Sequence, residues 1–427
     1  MATVHTMNLR SRTASWLGRA YLARRYKKGL DLSGMSLLPN TLQMPLRREG
    51  LDPVKELADL RGKEPIKKLS LPFGFSAWLV TGYDEVKAVL GRADGFSNDF
   101  AHLVGAGVTA MQHPGGLGFS DPPVHTRLRR LLTPEFTMRR LSRLAPVIHS
   151  IVEEQLDAMA KVDGPVDLVQ AFALPIPSLT ICELLGVPYE DREKFQRLSK
   201  DRFDVFSGAN ASFGAISDSV SYLLDVAREQ RESPGEGLLG MLVREHGDEI
   251  DDQELAGLAD GVLTGGLETT ASTLTLGAFI MLRDPAAASA LRNDDATAGF
   301  VEELLRYLSV VQLAFPRFAQ EDIEISGKKI SAGDVVLCSL SGANRDAALG
   351  PDMERFDPHR PRMQHLAFGH GMHRCIGAEL ARMELRAACP ALVRRFPRMR
   401  LAAEAEALPF RALSIVYGLD SLPVMLA

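Results

Sequence analysis

The spacing of apolar positions predicts helices along most of the chain. Helical periodicity covers the stretches at about 83–92, 124–140, 145–160, 174–186, 190–203, 298–308 and 376–395, with an interruption near Pro134. The longest run, at about 252–283, consists mainly of apolar and small residues. Pro285 should end it, because proline cannot continue a helix. The sequence therefore predicts one long helix among several shorter ones.

Short stretches with strand character interrupt the helices. Residues 77–81 and 335–340 are typical of single strands, and 322–330 alternates about a Ser-Gly turn, which predicts a hairpin. A second short hairpin is predicted near 415–418, and the glycine- and proline-rich stretch 105–123 predicts a long loop. The fold class is therefore mainly α, with small β-sheets assembled from strands that are distant in sequence.

Composition excludes several classes of protein. Of the 427 residues, 46% are hydrophobic and 24% charged, as in ordinary globular proteins, and the length alone suggests two or three domains. The net charge of −5 gives no indication of nucleic-acid binding. No apolar run reaches the roughly 18 to 20 residues of a transmembrane helix, so no membrane anchor is expected.

The cysteines and the N-terminus bear on location. The four cysteines form no C-x-x-C pair, which suits a reducing cytoplasm better than a secreted disulfide framework. Cys182, Cys338 and Cys389 are interpreted as small buried hydrophobic residues. Within the N-terminal extension at 1–45, the first 30 residues contain seven basic residues, and no acidic residue precedes Asp31. That extension could be a transit peptide, a surface-binding amphipathic helix or a partly ordered basic segment.

The stretch 368–377, Phe-Gly-His-Gly-Met-His-Arg-Cys-Ile-Gly, sets one cysteine among three glycines. Glycines allow close backbone approach and unusual dihedral angles. The helix predicted just beyond Cys375 would direct free N–H groups at the sulfur, which favours thiolate over thiol. Phe368 would cover the sulfur side, while His373 and Arg374 offer positive charge for carboxylates. The alternative is a glycine-rich loop with an incidental cysteine.

The long helix carries a second group of chemical interest. Gly265 and Gly266 are adjacent, and each costs roughly 1 kcal/mol in a helix relative to alanine. Such a pair indicates close approach or a local opening, with room for a planar ligand or a diatomic gas. Glu268 and Thr269 then place an acid and a hydroxyl beside the opening, able to relay protons through water. Helix–helix packing through small residues is the alternative.

Together these segments resemble the cytochrome P-450 family. The pattern F-G-x-G-x-H-x-C-x-G resembles that family's haem-binding loop, and residues 265–270 resemble its A/G-G-x-D/E-T-T/S segment. The resemblance extends from about residue 50 to the end. It implies one triangular-prism domain at 46–427, which overrules the two-or-three-domain expectation and leaves 1–45 as the extension. It also implies haem b, with Cys375 as the axial iron ligand.

The resemblance assigns further residues to the site. Glu303 and Arg306 form an E-x-x-R that, with Arg360, implies a structural triad holding the cysteine loop. A bare E-x-x-R carries little weight, and each cation alone could be a solvated surface residue. The haem contacts implied by the resemblance are His125, Arg129, Gly265, Gly266, Arg317, Phe368, Gly369, His373, Cys375 and Gly377, of which His125, Arg129, Arg317 and His373 would bind propionates.

The implied activity is a monooxygenase that activates O2 with two externally supplied electrons. Because the chain ends soon after the haem helix, no nucleotide-binding domain is expected, and a ferredoxin with its reductase should supply the electrons. A basic patch could dock an acidic donor, although a mixed surface explains the same residues. The patch consists of Arg127, Arg130, Arg374, Arg382 and Arg386.

The substrate is expected to be a hydrophobic small molecule, such as a steroid, terpenoid, fatty acyl or polyketide compound, that is hydroxylated or epoxidised. By the resemblance, the pocket is lined by the stretches at about 96–118, 195–225, 259–263, 313–315 and 415–416. Two alternatives stay open. A peroxide-driven peroxygenase or haem isomerase would keep the haem without the electron chain, and a haem-thiolate ligand sensor would need no proton relay at all.

Overall fold

The computed structural model describes residues 40–70, 76–99, 117–187, 191, 193–195, 197 and 213–426. The basic extension up to residue 39 lies outside this part of the chain. Most of the predicted loop at 105–123 and most of the predicted helix at 190–203 also lie outside it. The predicted boundary between an extension at 1–45 and a domain at 46–427 stays a prediction.

Helices dominate the described chain, as the apolar periodicity predicts. They are α1 (Asn40–Gln43), α2 (Lys55–Lys63), α3 (Tyr83–Gly91), α4 (Val124–Leu132), α5 (Met138–Leu141), α6 (Ala145–Met159), α7 (Pro175–Leu185), α8 (Phe213–Glu232), α9 (Leu238–His246), α10 (Asp252–Arg283), α11 (Pro285–Ala290), α12 (Asp294–Leu308), α13 (Leu340–Ala343) and α14 (Ala378–Arg395). A 3-10 turn follows α4 at Pro134, where the interruption was predicted.

The long helix α10 has the predicted bounds. Asp251 caps its first turn by accepting a hydrogen bond from the Glu254 N–H at 2.8 Å, and the Glu254 side chain reaches back to the Asp251 N–H. The helix ends at Arg283, and after Asp284 the next helix, α11, begins at Pro285. The reciprocal cap and the proline together fix both ends of the helix.

The strands form small sheets. They are β1 (Arg48–Glu49), β2 (Asp52–Pro53), β3 (Ile66–Ser70), β4 (Ser76–Val80), β5 (Phe96–Ser97), β6 (Val166–Asp167), β7 (Arg317–Ala319), β8 (Ile323–Ile325), β9 (Lys328–Ile330), β10 (Val335–Cys338), β11 (Arg400–Leu401) and β12 (Pro423–Met425). The five-stranded sheet has the order β3-β4-β10-β7-β5, and β4 and β10 pair in parallel with Ala77 opposite Val335. The predicted hairpin at 322–330 is β8 and β9.

The chain's tail folds back on itself at 409–420, which we call the C-terminal hairpin. Phe410 and Leu419 form an antiparallel bridge, and the Asp420 N–H donates to Pro409 O at 3.0 Å. Val416, near its tip, pairs with Val311 just after α12. The hairpin predicted near 415–418 is therefore present, with a wider span than expected.

The helices that were not predicted are the short α1, α11 and α13 and the longer α2, α8 and α9. The buried positions Tyr222, Leu223, Val226 and Ala227 of α8 recur at helical spacing, so the signal was available in the sequence. Of these helices, α8 and α9 matter to the site because α8 packs along α10 and α9 packs on α8.

The core is built around α10, which packs against α7, α8 and α14. Its second half is buried on all sides, including Leu274, Leu276 and Phe279. Each such side chain contributes roughly 1.5–3 kcal/mol by leaving water. None of the described helices is both long and apolar enough to cross a membrane. The packing fixes α10 as the element against which other parts of the site are positioned.

Candidate active site

The cysteine loop is pressed against the end of α3. Gly369 and Gly371 have φ angles of +68° and +73°, a region that side chains other than glycine rarely adopt. A Cβ atom at Gly371 would overlap the carbonyl oxygen of Leu90, so close approach requires glycine there. The Cys375 N–H donates to Phe368 O at 2.8 Å and closes the loop. The predicted unusual dihedral angles are confirmed at these two glycines.

Cys375 is exposed, whereas the other three cysteines are buried. Protein packed around its sulfur nevertheless raises the pKa of Cys375, because burial outweighs four groups that lower it. These are the Gly377 N–H just before α14 and the guanidinium groups of Arg374, Arg129 and Arg382. The Gly377 N–H thus favours the thiolate, as predicted, but its effect is smaller than that of burial. A coordinating metal would deprotonate the sulfur outright.

The ring of Phe368 makes a cation–π contact with Arg382. The guanidinium carbon of Arg382 lies 4.6 Å from the ring centroid. Arg382 is held there by Glu302, which accepts hydrogen bonds from Nε at 2.7 Å and Nη2 at 3.0 Å. His365 also contacts Glu302, at 3.1 Å. The aromatic ring beside the cysteine loop is thus fixed by a buried ion pair on α12 and α14.

The same contacts alter the predicted basic patch. Arg382 is buried, and Arg386 lies 3.5 Å from Glu302. Arg127 pairs with Glu254, and Arg130 pairs with Glu249 at 2.7 Å. Among the described residues, only Arg374 of the predicted patch is exposed without an ion pair. A mixed surface describes these residues better than a uniformly basic one, and the inclusion of Arg382 in an exposed patch is wrong.

Two histidines and an arginine meet beside the cysteine loop. The rings of His125 and His373 are 4.3 Å apart, and both ring nitrogens of His125 and Nδ1 of His373 are buried without a hydrogen-bond partner among the described residues. Burial and the charge of Arg317 lower the pKa of His373 to about 3. Arg317 is itself buried and donates to Phe315 O. Asp121 acts on all three groups, but forms no ion pair with them in the described chain.

Arg129 lies one helical turn beyond His125 on α4. Its Nη2 donates to the carbonyl oxygen of Arg374 at 2.8 Å, next to Cys375. The spacing of four residues places both side chains on the same side of the helix, as predicted. Arg129 thus contacts the backbone of the cysteine loop in addition to lying near the buried histidines.

The glycine pair in α10 divides into two roles. A Cβ atom at Gly265 would meet nothing within 4 Å, so this position faces open space, as predicted. A Cβ atom at Gly266 would lie 2.9 Å from Cδ1 of Ile181 on α7. The packing alternative therefore applies to Gly266. Thr269 donates its hydroxyl to Gly265 O at 2.7 Å, although Thr264, Thr273 and Thr275 make the equivalent bond elsewhere in the helix.

Glu268 is buried in an ion pair with Arg411 that no sequence pattern predicts. Its Oε1 accepts from Nη1 of Arg411 at 2.9 Å, across 143 residues of sequence. Nε of the same arginine donates to Oδ1 of Asp420 at 2.8 Å. Burial raises the pKa of Glu268 to about 8, with Arg411 lowering it and Asp420 raising it further. Burial thus favours the protonated form of this carboxyl, whereas the Arg411 guanidinium favours the ionised form.

A second buried carboxyl, that of Glu384, lies close to α10. Glu384 on α14 lies close enough to the hydroxyls of Thr180 and Thr270 for them to lower its pKa, and Thr270 is the neighbour of Thr269. Burial raises the pKa of Glu384 to about 8, against the lowering by the two hydroxyls. Sequence reasoning missed this residue because a single glutamate in an amphipathic helix carries no distinctive pattern.

The predicted triad is brought together. Glu303 accepts from Nε and Nη2 of Arg306 at 2.7 and 2.8 Å, and from Nε of Arg360 at 3.1 Å. Arg306 is 0% exposed and also donates to the carbonyl oxygens of Asn344, Met353 and Arg355. The triad therefore ties α12 to the irregular chain that precedes the cysteine loop.

Apolar side chains are exposed in two of the predicted pocket stretches, 313–315 and 415–416. Phe315 and Ile415 are large exposed hydrophobic residues, and Phe119, in a turn that packs on α10, contacts Phe315 edge-to-face at 4.6 Å. The predicted pocket positions Ala259 and Leu263 are instead buried in the core, so that part of the prediction is wrong. The predicted stretches 100–116 and 198–212 lie outside the described residues.

The donor set fits a haem. A porphyrin with two carboxylates would accept hydrogen bonds from the buried ring nitrogens of His125 and His373, and would supply anions to Arg317, the charged group beside them. The exposed thiol of Cys375 and the open position at Gly265 suit the iron and its distal side. A soft sulfur ligand with adjoining carboxylate-binding cations defines a haem-thiolate protein.

Comparisons with known proteins agree with that class. The family model described as Cytochrome P450 matches residues 38–234 and 230–404. The chain is 40% identical over 390 residues to cytochrome P450 165B3 of Amycolatopsis orientalis, which covers 89% of this chain and 97% of that protein. It is 38% identical over 380 residues to the vitamin D3 dihydroxylase of Streptomyces griseolus, covering 87% and 93%. The chain belongs to the cytochrome P450 family.

A solved structure extends the likeness to the fold. P450 StaH, from biosynthesis of the glycopeptide antibiotic A47934, matches with a TM-score of 0.82 and 42% identity over 90% of this chain and 99% of that one. The fold is therefore the mainly helical P450 fold with small sheets. Members of the family are monooxygenases that use haem b and O2, and the protein is an oxidoreductase of this kind.

Proposed function

We propose that this P450 monooxygenase would hold its haem iron through Cys375 and insert oxygen into a bulky hydrophobic small molecule. The observation that carries the proposal is the combination of one exposed cysteine with the His125–His373 pair beside it, in which three buried ring nitrogens have no hydrogen-bond partner among the described residues. A thiolate-bound haem supplies oxygen activation when present. The chain's own residues bind that group, orient the substrate and deliver protons.

The haem would be held from several elements. His125 and His373 would donate to propionates through their buried ring nitrogens, with Arg317 adding charge from β7. Arg129 would bind a propionate from α4, where its side chain also donates a hydrogen bond to Arg374 O in the cysteine loop. Gly369 and Gly377 shape the loop around the sulfur, and Phe368 covers it with a ring that Arg382 holds in place.

Proton delivery is assigned to Glu268 and Thr269. Gly265 leaves open space one turn before Thr269, whose hydroxyl bonds Gly265 O and so stands at the edge of that space. Oxygen activation by a bound haem would consume protons, and a hydroxyl with a nearby acid could supply them through water. The presence of both groups favours a monooxygenase over a peroxygenase, a haem isomerase or a ligand sensor, none of which needs this pair.

We expect Thr269→Ala to uncouple oxygen consumption from product formation. Product per electron pair should fall by roughly tenfold or more, because an ordered proton donor is lost. Product and hydrogen peroxide are measured against NAD(P)H consumed with a surrogate ferredoxin and reductase. Thr275→Ala is the matched control, since Thr275 makes the same helical back-bond but is buried in the core. Equal coupling in the two variants would contradict the assignment of Thr269.

The substrate class is inferred from the pocket and the relatives. Phe119, Phe315 and Ile415 offer apolar contact area in the predicted pocket stretches. One relative is named for vitamin D3 and a solved structure for glycopeptide antibiotic biosynthesis, which supports a bulky substrate, and the apolar side chains favour a steroid, terpenoid, fatty acyl or polyketide compound.

The proposal is tested by titrating the purified ferric protein with these four classes while following the Soret band. We expect a low-spin to high-spin shift with one class, because substrate that reaches the iron displaces its solvent ligand. Phe315→Ala should weaken the apparent affinity for that compound by about 10-fold or more, as loss of a buried aromatic contact predicts. A protein with intact thiolate spectra that responds to none of the four would contradict the proposed substrate class.

We further propose a ferredoxin and its reductase as electron donors, and the cytoplasm as the location. The donor assignment follows bacterial members of the family, and docking would use Arg374 with its mixed surroundings rather than a large basic patch. The location is supported by four free cysteines, three of them buried thiols, which suits a reducing compartment.

A further inference from the structure

Arg411 stands between two carboxylates of very different exposure. The arginine side chain is 1% exposed and donates through Nη1 to Glu268 and through Nε to Asp420. The Glu268 side chain is 6% exposed, whereas that of Asp420 is 44% exposed. One guanidinium therefore joins the buried acid of α10 to a carboxylate that meets solvent.

The C-terminal hairpin is built to deliver this arginine. The Arg411 N–H donates to Gly418 O at 2.9 Å, and the ring of Phe410 meets Phe279 of α10 edge-to-face at 5.7 Å. A Cβ atom at Gly418 would lie 2.7 Å from Oγ of Ser272 and 3.3 Å from Nη1 of Arg411. The absence of that atom lets the hairpin pack closely enough on α10 for Arg411 to reach Glu268.

The charges in this group compete. If both acids are ionised, one cation faces two anions. Ionisation costs less free energy at Asp420 than at Glu268, because water solvates the exposed carboxylate. Burial raises the pKa of Glu268, Arg411 lowers it and Asp420 raises it, which leaves a value of about 8.

We propose that Arg411, shared with Asp420, is a positioning residue that lets Glu268 alternate between a protonated acid and an ion-paired carboxylate. The inference rests on the proposed role of Glu268 in proton delivery. When Glu268 releases its proton toward the site, its O–H bond breaks and the new carboxylate is held by Arg411. Solvent water then returns a proton to the same carboxyl, so each cycle is balanced and needs no oxidant or reductant. Asp420 prevents Arg411 from locking Glu268 in the ionised form.

The first test measures the protonation of Glu268 directly, in the substrate-free holoenzyme. Infrared difference spectroscopy follows the carboxylic-acid C=O band against pH, and Glu268→Gln identifies the band. Arg411→Gln should raise its titration midpoint by roughly one pH unit or more, whereas Asp420→Asn should lower it, because a cation and an anion act in opposite directions. Arg411→Lys should restore part of the wild-type midpoint.

Glu384 is the other carboxyl that must be separated from Glu268. It lies on α14 in contact with Thr270, and its pKa is also raised to about 8. Its band is identified with Glu384→Gln, and it should be insensitive to Asp420→Asn. Arg411→Gln and Asp420→Asn shifting the Glu268 band in the same direction, or not at all, would overturn the inference. Asp420 is half-exposed, so that variant remains informative if Arg411→Gln does not fold.

The second test measures coupling across the pH range. Product per electron pair in the wild type should decline as pH rises through the Glu268 midpoint, because the acid form is the donor. Asp420→Asn should move that decline to lower pH by the same interval as the infrared midpoint. If Glu268→Gln leaves coupling unchanged, the proposed function of Glu268 fails. If Glu268→Gln impairs coupling but Asp420→Asn moves neither midpoint nor profile, the inference about Arg411 and Asp420 fails alone.

Discussion

Replacing Cys375 with serine is expected to abolish the thiolate spectrum and most of the turnover. A serine oxygen is a harder and far less acidic ligand than sulfur, so it does not supply the electron density that a thiolate gives to iron. Protein packed around position 375 already raises the pKa of the cysteine, and a hydroxyl there would stay protonated more firmly. Turnover should fall at least roughly a hundredfold, a barrier increase of about 3 kcal/mol.

The measurement is the reduced carbon monoxide spectrum of purified Cys375→Ser, with haem content determined in parallel. Cys389→Ala serves as the control, because Cys389 lies on α14, the helix that follows the loop, and is buried in the core. The control should keep the wild-type spectrum. A Cys375→Ser protein with that same spectrum would show that the ligand is wrongly assigned.

Local chemistry made much of this site predictable. The cysteine loop could be recognised in the sequence because its backbone requires glycines. Gly369 and Gly371 have positive φ angles, and a Cβ atom at Gly371 would overlap Leu90 O. The ends of α10 follow from a cap and a proline that lie within a few residues of the helix. In each case the cause and the residue are close in sequence, so the pattern carries the information.

Contacts between distant segments were beyond such reasoning. The pair Glu268–Arg411 joins residues separated by 143 positions, and no spacing rule identifies the partner of a buried acid. The parallel pairing of β4 with β10 is of the same kind, since it depends on how the intervening helices pack. For the same reason Gly266 was assigned to the haem, when the side chain it meets is Ile181 of another helix.

Burial was the other quantity that the sequence did not reveal. Ala259 and Leu263 were assigned to the pocket by the resemblance to the family, yet both are buried in the core. Arg382 was assigned to a surface patch that could dock an electron donor, yet Glu302 pairs with it inside the protein. Which face of a helix looks inward depends on its neighbours, and here the neighbours include α8, a helix that the sequence analysis did not predict.

The largest effect on stability is expected from removing the charge of Glu303. Glu303→Gln leaves Arg306 and Arg360 without their shared carboxylate, and Arg306 is completely buried. Breaking a buried ion pair by removing one partner costs about 3–5 kcal/mol, because the remaining charge is left uncompensated. Arg306 also anchors three backbone carbonyls ahead of the cysteine loop, so haem retention should fall together with stability.

Denaturant unfolding and haem content of Glu303→Gln are compared with those of Glu64→Gln. Glu64 makes an ion pair with Lys328 in which both side chains are exposed, so removing its charge should leave the unfolding midpoint nearly unchanged. The two variants make the same chemical change and differ in burial. If both unfold at the wild-type denaturant concentration with full haem, the triad does not hold the cysteine loop, because an uncompensated buried guanidinium would have to lower that midpoint.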